Sequence, residues 1–272
     1  MGKTMKVMTL ANHKGGVRKT TLAVTTADAF ARDGYRVLLV DLDPQAHATV
    51  LAYSLDEAPA TPIEKVMSGE KTLGEAIIQH SAIDGVHVLG STLRLGNLER
   101  ELMQKPFSSI TLVRDMLKLV SSIYDIVIID TAPSLSFLTA NALAASDFVF
   151  VPIESGSKLS VIGTEDMRDF IRQAQRVNPG LKFGGAILTM HDARKTLCQI
   201  TATSVNQIYE TVLKETLPPA EAMRQAQSIG KTILQFKRED AASRKMVALA
   251  REMADIIGLS SSPKVAKEAE NV

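Results

Sequence analysis

Short apolar runs alternate along the chain with longer segments of helical periodicity, and this alternation constrains the fold more than any other feature. Several of the runs are apolar almost throughout, which is typical of strands covered on both faces. Regular exchange of strand and helix predicts an α/β fold in which a mostly parallel twisted sheet is flanked by helices on both faces. The candidate strands are 6–11, 36–43, 86–90, 125–130, 147–153 and 183–189, with 211–218 a weaker one, and the longer candidate helices are 19–33, 108–122, 158–176 and 239–257.

Length and composition predict one large domain. The 272 residues, of which 45% are hydrophobic and 22% charged, are enough to bury a sizeable core. We expect this domain to span residues 1–258 and the polar segment 259–272 to be a tail. No apolar run approaches the roughly 18–20 residues of a membrane span, and Met1–Lys6 lacks the apolar stretch of a secretory signal, so we expect a cytoplasmic protein. The chain has a single cysteine, Cys198, which rules out an internal disulfide. We expect this cysteine to be buried as a small hydrophobic side chain.

The segment "ANHKGGVRKTT" at 11–21 follows the first candidate strand and enters the first candidate helix near Lys19. Backbone N–H groups and the positive end of a helix hold phosphate at such a junction. Lys19 offers a cation for the β- and γ-phosphates, and the following Thr20 offers a hydroxyl for Mg²⁺. The general phosphate-binding loop, however, has glycine at the places that His13 and Arg18 occupy here.

Carboxylates end two of the candidate strands. The run "VLLVDLDPQ" carries Asp41 and Asp43, and "YDIVIIDTAP" carries Asp130. The carboxyl ends of parallel strands border the ligand crevice of such a sheet. Aspartate also commonly ends strands and begins turns, so each position alone has an ordinary explanation. Together with the loop, the three aspartates predict a site for a nucleotide and Mg²⁺.

Several segments together resemble the motifs of one known family. "NHKGGVRKTT", "VLLVDLDPQA" and "YDIVIIDTAP" resemble the deviant Walker A, Walker A′ and Walker B motifs of the ParA/MinD family of ATPases. "LPPAEAMRQAQSIGKTILQF" is similar to the ParA segment that follows the last strands, so the resemblance covers about residues 5–255. In the deviant loop another residue stands in place of the early glycine, and a lysine lies near the start. His13 and Lys14 occupy these two places here. The resemblance implies a P-loop NTPase fold.

The resemblance also implies catalytic roles. Lys14 would reach the nucleotide of the partner subunit in an ATP-dependent sandwich homodimer, and Lys19 would contact the β- and γ-phosphates of its own subunit. Asp43 would orient the attacking water, so that the site works by positioning and charge neutralisation. The residues implied to bind ATP or ADP are Lys14, Gly15, Gly16, Val17, Arg18, Lys19, Thr20, Thr21 and Pro218.

For the metal ion, the resemblance implies that Thr20 ligates Mg²⁺ and that Asp41 and Asp130 support the ion through its waters.

Three branches of the family do not fit this sequence. Nitrogenase iron-protein relatives need more than one cysteine, MinD types carry an amphipathic membrane helix where 259–272 is polar, and tyrosine-kinase relatives end in a tyrosine cluster, whereas the last tyrosine here is Tyr209.

The remaining ParA branch implies ATP-bound dimers that coat DNA without sequence preference. Such proteins position a plasmid, a chromosome locus or a protein cargo such as a carboxysome. They work with a ParB-like or cargo adaptor protein and associate with the nucleoid, not with a membrane.

Charge is unevenly distributed although its net value is only +1. Lys and Arg minus Asp and Glu give 15 − 19 = −4 for residues 1–167, 14 − 8 = +6 for 168–253 and 2 − 3 = −1 for 254–272. The basic excess is either a solvated mixed-charge face or a surface for a polyanion such as DNA, which is bound through its phosphates. Relatives often have an arginine where Pro219 stands here. The candidate DNA contacts are Arg224, Lys231, Arg244, Lys245 and Arg251.

Arg18 stands where the family has glycine immediately before the P-loop lysine. A Cβ at this position restricts the backbone and crowds the phosphates and the facing subunit. Strain on the order of 1–3 kcal/mol weakens nucleotide binding roughly ten- to a hundred-fold.

Two functions therefore stay open: an ATPase whose cycle moves a cargo, and a nucleotide-gated or nucleotide-independent DNA-binding protein that has lost hydrolysis. Natural divergence and an introduced substitution both account for Arg18.

Overall fold

A computed structural model describes residues 5–53, 59–105, 110–156 and 163–259. Strands and helices alternate along the described chain, as the sequence predicts. In chain order they are β1 Lys6–Leu10, α1 Lys19–Arg32, β2 Val37–Leu42, α2 His47–Ala52, α3 Ile63–Met67, α4 Leu73–Ala76, β3 Val86–Leu89, α5 Leu95–Gln104, α6 Leu112–Lys118, β4 Ile126–Thr131, α7 Phe137–Ala145, β5 Phe148–Glu154, α8 Thr164–Val177, β6 Lys182–Thr189, α9 Thr196–Ile208, α10 Glu221–Ser228, α11 Ile233–Phe236 and α12 Ala241–Ile257.

The strands form one parallel sheet in the order β3-β2-β4-β1-β5-β6. Strand β4 lies between β1 and β2, with Asp130 opposite both Leu10 of β1 and Asp41 of β2. Parallel strands all run the same way, so the loops that follow them open at one edge of the sheet. The predicted α/β fold with a parallel sheet is confirmed.

Helices cover both faces of the sheet, and successive strand residues point to opposite layers. Leu39 and Ile128 belong to a core shared with α1, α2 and α10–α12. Val40 and Ile129 belong to a core on the other face, formed with α3–α7, while α8 and α9 cover the β5–β6 end of that face. Burial on both sides explains why the strand segments are apolar almost throughout.

The weaker strand candidate at 211–218 is not a strand in the structure. Among the described residues, Val212 pairs with Ala186 of β6 as an isolated bridge, and farther along the segment the Leu217 N–H donates to the Leu188 carbonyl at 2.9 Å. The N–H groups of Lys214 and Glu215 instead donate to the Glu252 carboxylate of α12, at 2.8 Å each. The Glu252 side chain therefore takes two backbone N–H groups between the two places where the segment bonds to β6.

Helix ends differ from the sequence prediction in two places. The helix predicted over 108–122 is shorter, because after α6 the N–H groups of Leu119 and Val120 turn back to carbonyls three residues earlier. The helix predicted over 158–176 begins at Thr164, after Gly163 at φ 86°. Residues 158–162, 108–109 and 260–272 lie outside the described residues.

Two simpler expectations concern individual features of the chain. Cys198 is a free and buried cysteine, as predicted. In the part of the chain that the structure describes, no helix combines the length and the apolar character needed to cross a bilayer.

Candidate active site

The loop between β1 and α1 is held at both of its ends by buried polar side chains. Asn12 donates from Nδ2 to the Pro152 carbonyl at 2.7 Å and accepts the Lys14 N–H at 3.0 Å. At the other end, the Thr189 hydroxyl donates to the carbonyl of buried Val17 at 3.3 Å. Sequence analysis missed Asn12 and Thr189, although Asn12 is the first residue of the quoted motif, and asparagine side chains commonly form turns with the backbone.

The loop leaves a row of N–H groups open at the start of α1. The first hydrogen bond of the helix joins the Leu22 N–H to the Arg18 carbonyl at 3.0 Å. The N–H groups of Lys19, Thr20 and Thr21 therefore have no acceptor within the helix. Nothing lies within 4 Å of where a Cβ would stand at the exposed Gly16. Open N–H groups and the positive end of the helix make this loop a cradle for an anion.

Lys19 places a cation beside this cradle. Its side chain is buried, and Nζ donates to the Lys14 carbonyl at 3.1 Å. Burial lowers the pKa of Lys19, while the nearby Asp130 and Asp43 raise it. Lys19 thus lies between the loop and the carboxylates at the ends of β2 and β4.

Asp41 is a fully buried carboxylate with a complete set of partners. It accepts the Asp43 N–H at 3.0 Å, and from Thr49 the N–H at 2.8 Å and the hydroxyl at 2.7 Å. Burial, with a smaller contribution from the neighbouring Asp43, raises the pKa of Asp41 to about 6, although these hydrogen bonds lower it. The partners fix the carboxylate at the end of β2.

Asp130 is equally buried, but its two oxygens have no hydrogen-bond partner among the described residues. The Thr20 hydroxyl is near enough to lower the pKa of Asp130, yet it does not complete a hydrogen bond in distance and angle. Burial, followed by the charge of Asp41, holds this pKa well above its usual range. Two carboxylate oxygens that are buried without a hydrogen bond lower the stability of the fold unless a bound group supplies a donor.

These acceptors suit a hydrated cation. Among the described residues, no three acidic, histidine or cysteine side chains converge closely enough to hold a metal ion directly. Mg²⁺ commonly keeps several waters and needs only one or two protein oxygens. Waters of such an ion would donate to Asp130, and the Thr20 hydroxyl could bind the ion itself.

Asp43 begins a tight turn after β2. One oxygen of the Asp43 carboxylate accepts the Gln45 N–H at 2.8 Å. The backbone carbonyl of Asp43 accepts the Ala46 N–H at 2.9 Å and the Ser91 hydroxyl at 2.8 Å. The residue is buried, at 5% exposure. Its carboxylate is thus positioned by a turn, which suits a group that must orient a small reactant.

Comparison with known proteins agrees with this geometry. A family model described as an AAA domain matches residues 5–183, from before β1 into β6. The chromosome partitioning protein ParA of Caulobacter vibrioides is 34% identical over 252 residues, which cover 92% of this chain and 94% of ParA. The chromosome-partitioning ATPase Soj of Thermus thermophilus is 35% identical over 246 residues, 90% of this chain and 93% of Soj. The chain belongs to the ParA/MinD family of ATPases.

A solved structure extends the likeness to three dimensions. Cobyrinic acid a,c-diamide synthase of Mycobacterium smegmatis, with bound ATP analogue and magnesium, superposes with a TM-score of 0.79 at 28% identity. The match covers 95% of this ParA/MinD-family chain and 98% of the synthase. The family that the motifs indicated is therefore confirmed.

Arg18 has the backbone conformation that favours glycine at this place in the ParA/MinD-family loop. Its φ is 64°, in the left-handed region, and its side chain does not cap α1. The guanidinium contacts two thioethers, with Nε 2.9 Å from Sδ of Met190 and an Nη atom 3.4 Å from Sδ of Met223. Partial burial lowers the pKa of Arg18, Glu154 raises it and Arg224 lowers it. Arg18 therefore holds a backbone conformation that residues with a Cβ adopt rarely, and its effect on nucleotide binding stays a prediction.

Three other residues of the ParA/MinD motif region have definite places. The Thr21 hydroxyl accepts a hydrogen bond from Gln227 of α10, and the Thr21 N–H faces the cradle. Pro218 follows Leu217, whose N–H donates to Leu188 at 2.9 Å, and so lies beside the carboxyl end of β6. His13 packs against Gly163, where an added Cβ would stand 2.5 Å from Nε2.

The five basic candidates lie in the helical layer that packs on α1. All are exposed: Arg224 on α10, Lys231 before α11, and Arg244, Lys245 and Arg251 on α12. Arg224 pairs with Glu221 at 3.1 Å, Lys245 pairs with Glu215 at 2.7 Å, and Arg244 donates to the Glu239 carbonyl at 2.6 Å. The structure thus places them on one layer of the molecule but brings them to no single point.

Proposed function

We propose that the protein is a ParA-type ATPase that binds ATP with Mg²⁺ and closes into a sandwich dimer. In that state it binds DNA without sequence preference and positions or segregates a cargo. The observation that carries the proposal is the meeting of the open α1 N-terminus, buried Lys19 and the paired Asp41 and Asp130 at one edge of the sheet. The ATP analogue and magnesium bound by the M. smegmatis synthase support it.

Charge balance explains the chemistry of the site. Three buried or nearly buried carboxylates, Asp41, Asp43 and Asp130, face one buried ammonium, that of Lys19. Bound Mg²⁺ supplies positive charge that neutralises the phosphates and these carboxylates. Thr20 would ligate the ion, and Asp130 would accept hydrogen bonds from its waters through the two oxygens that have no partner among the described residues. Gly15, Gly16, Val17 and Arg18 contribute backbone to the cradle, and Pro218 borders the nucleotide from the end of β6.

Two residues act on the reaction itself. Asp43, held by its turn, orients the water that attacks the γ-phosphate. The backbone of Lys14 is anchored by Asn12, while its side chain is only partly buried and can extend to the nucleotide of a facing subunit. Hydrolysis that needs Lys14 of the other subunit ties turnover to dimerisation.

The basic layer provides the contact with DNA. Arg224, Lys231, Arg244, Lys245 and Arg251 bind phosphates, and an electrostatic contact of this kind needs no base readout. Relatives that partition chromosomes support this use of the family. We place the protein in the cytoplasm on the nucleoid, with a ParB-like or cargo adaptor protein as its partner.

A second candidate function rests on Arg18. Its φ of 64° is strained for any residue with a Cβ, and the strain lies next to the P-loop lysine. A chain with a weakened phosphate cradle would bind DNA under nucleotide control, or without nucleotide, and no longer hydrolyse ATP.

Phosphate release and dimerisation separate the two candidates. We expect the chain to release phosphate from ATP faster with DNA, and to dimerise with ATP but not ADP in light scattering. Lys14→Ala should bind ATP but lose both dimerisation and stimulated release. Lys65→Ala, which removes a lysine outside the loop, is the matched control. DNA binding without nucleotide, combined with no phosphate release, would establish the second candidate instead.

A further inference from the structure

One face of helix α10 contacts the phosphate-binding loop. Sδ of Met223 lies 3.4 Å from an Nη atom of Arg18, and Gln227, four residues later, donates from Nε2 to the Thr21 hydroxyl. Residues four apart share a face of a helix. This face of α10 therefore touches the chain on both sides of Lys19, the lysine assigned above to the phosphates.

The same segment continues into the basic layer. Arg224 is exposed on α10, and Lys231 is exposed shortly before α11. The Thr232 hydroxyl then donates to the buried carboxylate of Asp28 on α1. The two candidate DNA contacts thus lie on a segment whose two ends are tied to α1.

The Thr21 hydroxyl contains a donor without an acceptor. A hydroxyl has one O–H donor and two acceptor lone pairs. Gln227 bonds to one lone pair, while within the described chain the O–H itself has no acceptor. Thr21 is only 7% exposed, so water has little access to it. A shielded donor of this kind favours a ligand that brings an acceptor.

A phosphate in the cradle is such an acceptor. The N–H groups of Lys19, Thr20 and Thr21 have no acceptor within α1 and open onto the same place. With a phosphate bound there, Gln227 donates to the Thr21 hydroxyl and this hydroxyl donates to a phosphate oxygen. Hydrogen bonds to an anion are stronger than neutral ones, and each bond in a chain polarises the next.

We propose that Gln227 is a positioning residue of the nucleotide site. Its amide holds the Thr21 hydroxyl so that the O–H donates to a phosphate oxygen, and through α10 it transmits the occupation of the cradle to Arg224 and Lys231. This role deepens the proposed function and rests on it, because it links the nucleotide site to the DNA surface proposed above.

The link acts in both directions. A nucleotide that strengthens the bond between Gln227 and Thr21 orders α10 on α1, and DNA then binds a segment that is already ordered. By linkage, bound DNA raises the affinity for nucleotide by the same factor.

Positioning is tested by titrating the full chain with a non-hydrolysable ATP analogue and Mg²⁺ in a calorimeter. Gln227→Leu keeps the approximate shape of the side chain and removes the amide. It should bind the analogue about three- to tenfold more weakly, as expected for one lost hydrogen bond. Gln225→Leu makes the same change at an exposed position of α10 and should leave the affinity unchanged. Equal affinities of the two variants would overturn the proposal.

A double-mutant cycle tests whether the effect passes through Thr21. In a Thr21→Val background, which lacks the hydroxyl, Gln227→Leu should have no further effect on affinity. In a Thr21→Ser background, which keeps the hydroxyl, the loss should return. Losses that add without interaction would overturn the route through Thr21, whereas a role of Gln227 in packing alone predicts this additivity.

A spectroscopic test needs no variant. In the unmodified chain, Mg²⁺ and ADP should shift the side-chain amide resonances of Gln227 and leave those of Gln225 in place. Unshifted resonances of Gln227 would overturn the proposal even if Gln227→Leu fails to fold.

Transmission to DNA is measured separately. The unmodified chain and Gln227→Leu are saturated with the analogue and compared at equal fractions of dimer in light scattering. The ratio of DNA affinities with and without the analogue should be at least about threefold lower in Gln227→Leu. An unchanged ratio would overturn the transmission through α10. An unmodified chain whose DNA affinity does not respond to nucleotide contradicts the proposed function, and the calorimetric titrations still decide the positioning role.

Discussion

The nucleotide edge and the basic helical layer differ in how their charged side chains are held. At the edge, Lys19, Asp41 and Asp130 are buried at strand and helix ends, and the backbone on either side of them is fixed by hydrogen bonds. In the layer of α10–α12, Arg224 and Lys245 are exposed and bonded to glutamates of their own surface.

The difference fits the roles proposed for the two regions. Phosphoryl transfer depends on position, so its groups must be placed before the ligand arrives. Contact with DNA phosphates depends on charge at a surface and tolerates flexible side chains. We therefore expect substitutions at the edge to cause large losses specific to one step, and substitutions in the layer to cause small graded ones.

The largest effect is expected from Asp43→Ala. Hydrolysis should fall by about 10²-fold or more, as for other groups that align a reacting water, while ATP binding and dimerisation remain because the phosphate cradle is unchanged. Asp43→Asn keeps an oxygen that accepts the Gln45 N–H. It therefore distinguishes the effect of the lost charge from the effect of a disturbed turn. Single-turnover phosphate release measures the step, with Asp84→Ala as an exposed control. Hydrolysis at the parental rate in the alanine variant would remove Asp43 from its role.

Arg18→Gly tests whether the edge tolerates its strained residue. Glycine adopts φ 64° without the Cβ penalty, so nucleotide affinity should rise roughly ten- to a hundred-fold. Dimerisation and turnover should rise with it. Met223→Leu removes one thioether partner of Arg18 and leaves its φ, and should change affinity little. Calorimetric titration of ATP compares the three chains. If glycine improves neither affinity, dimerisation nor turnover, Arg18 is a tolerated residue.

Sequence patterns predicted where the loop and the charged residues of this edge lie, because strand ends and the start of a helix follow from local patterns. The start of α1 at Lys19 and the carboxylates at the ends of β2 and β4 both follow from apolar runs and motifs. Contacts between distant segments could not be predicted in this way. Asn12 reaches Pro152, and Arg18 turns to Met190 and Met223.

The rest of the chain shows the same limit. Periodicity cannot show that Glu252 of α12 takes the N–H groups at 214–215, between the two places where this segment bonds to β6. The hydrogen bond from Gln227 to Thr21 likewise joins residues that are 206 positions apart, which no local pattern connects. Residues that act through tertiary contacts are the ones that sequence analysis missed.

Charge reversal at Arg224 or Lys245 tests the basic layer. Each should weaken binding to every DNA sequence alike, and lower the slope of log affinity against log salt by about one, as for a lost phosphate contact. ATP binding should be unchanged by reversal of Lys245, which is exposed on α12 and pairs with Glu215. Fluorescence anisotropy with two unrelated duplexes measures the effect. Unaltered binding after reversal of all five candidates would leave the basic excess as a solvated face.

The smallest effect is expected from freeing an arginine that is already paired. Glu221 holds Arg224 at 3.1 Å on the exposed first turn of α10, and the pair must loosen before Arg224 can meet a phosphate. Exposed pairs of this kind contribute about 0–1 kcal/mol, so Glu221→Gln should raise DNA affinity by at most about fivefold. Glu239→Gln makes the same change in net charge without releasing a paired side chain, since Arg244 contacts only the Glu239 carbonyl. DNA affinity is measured at low salt. A larger gain in affinity for Glu221→Gln than for Glu239→Gln would indicate that Arg224 contacts the DNA. Equal gains would mean that net charge acts alone and that Arg224 has no particular place in the contact.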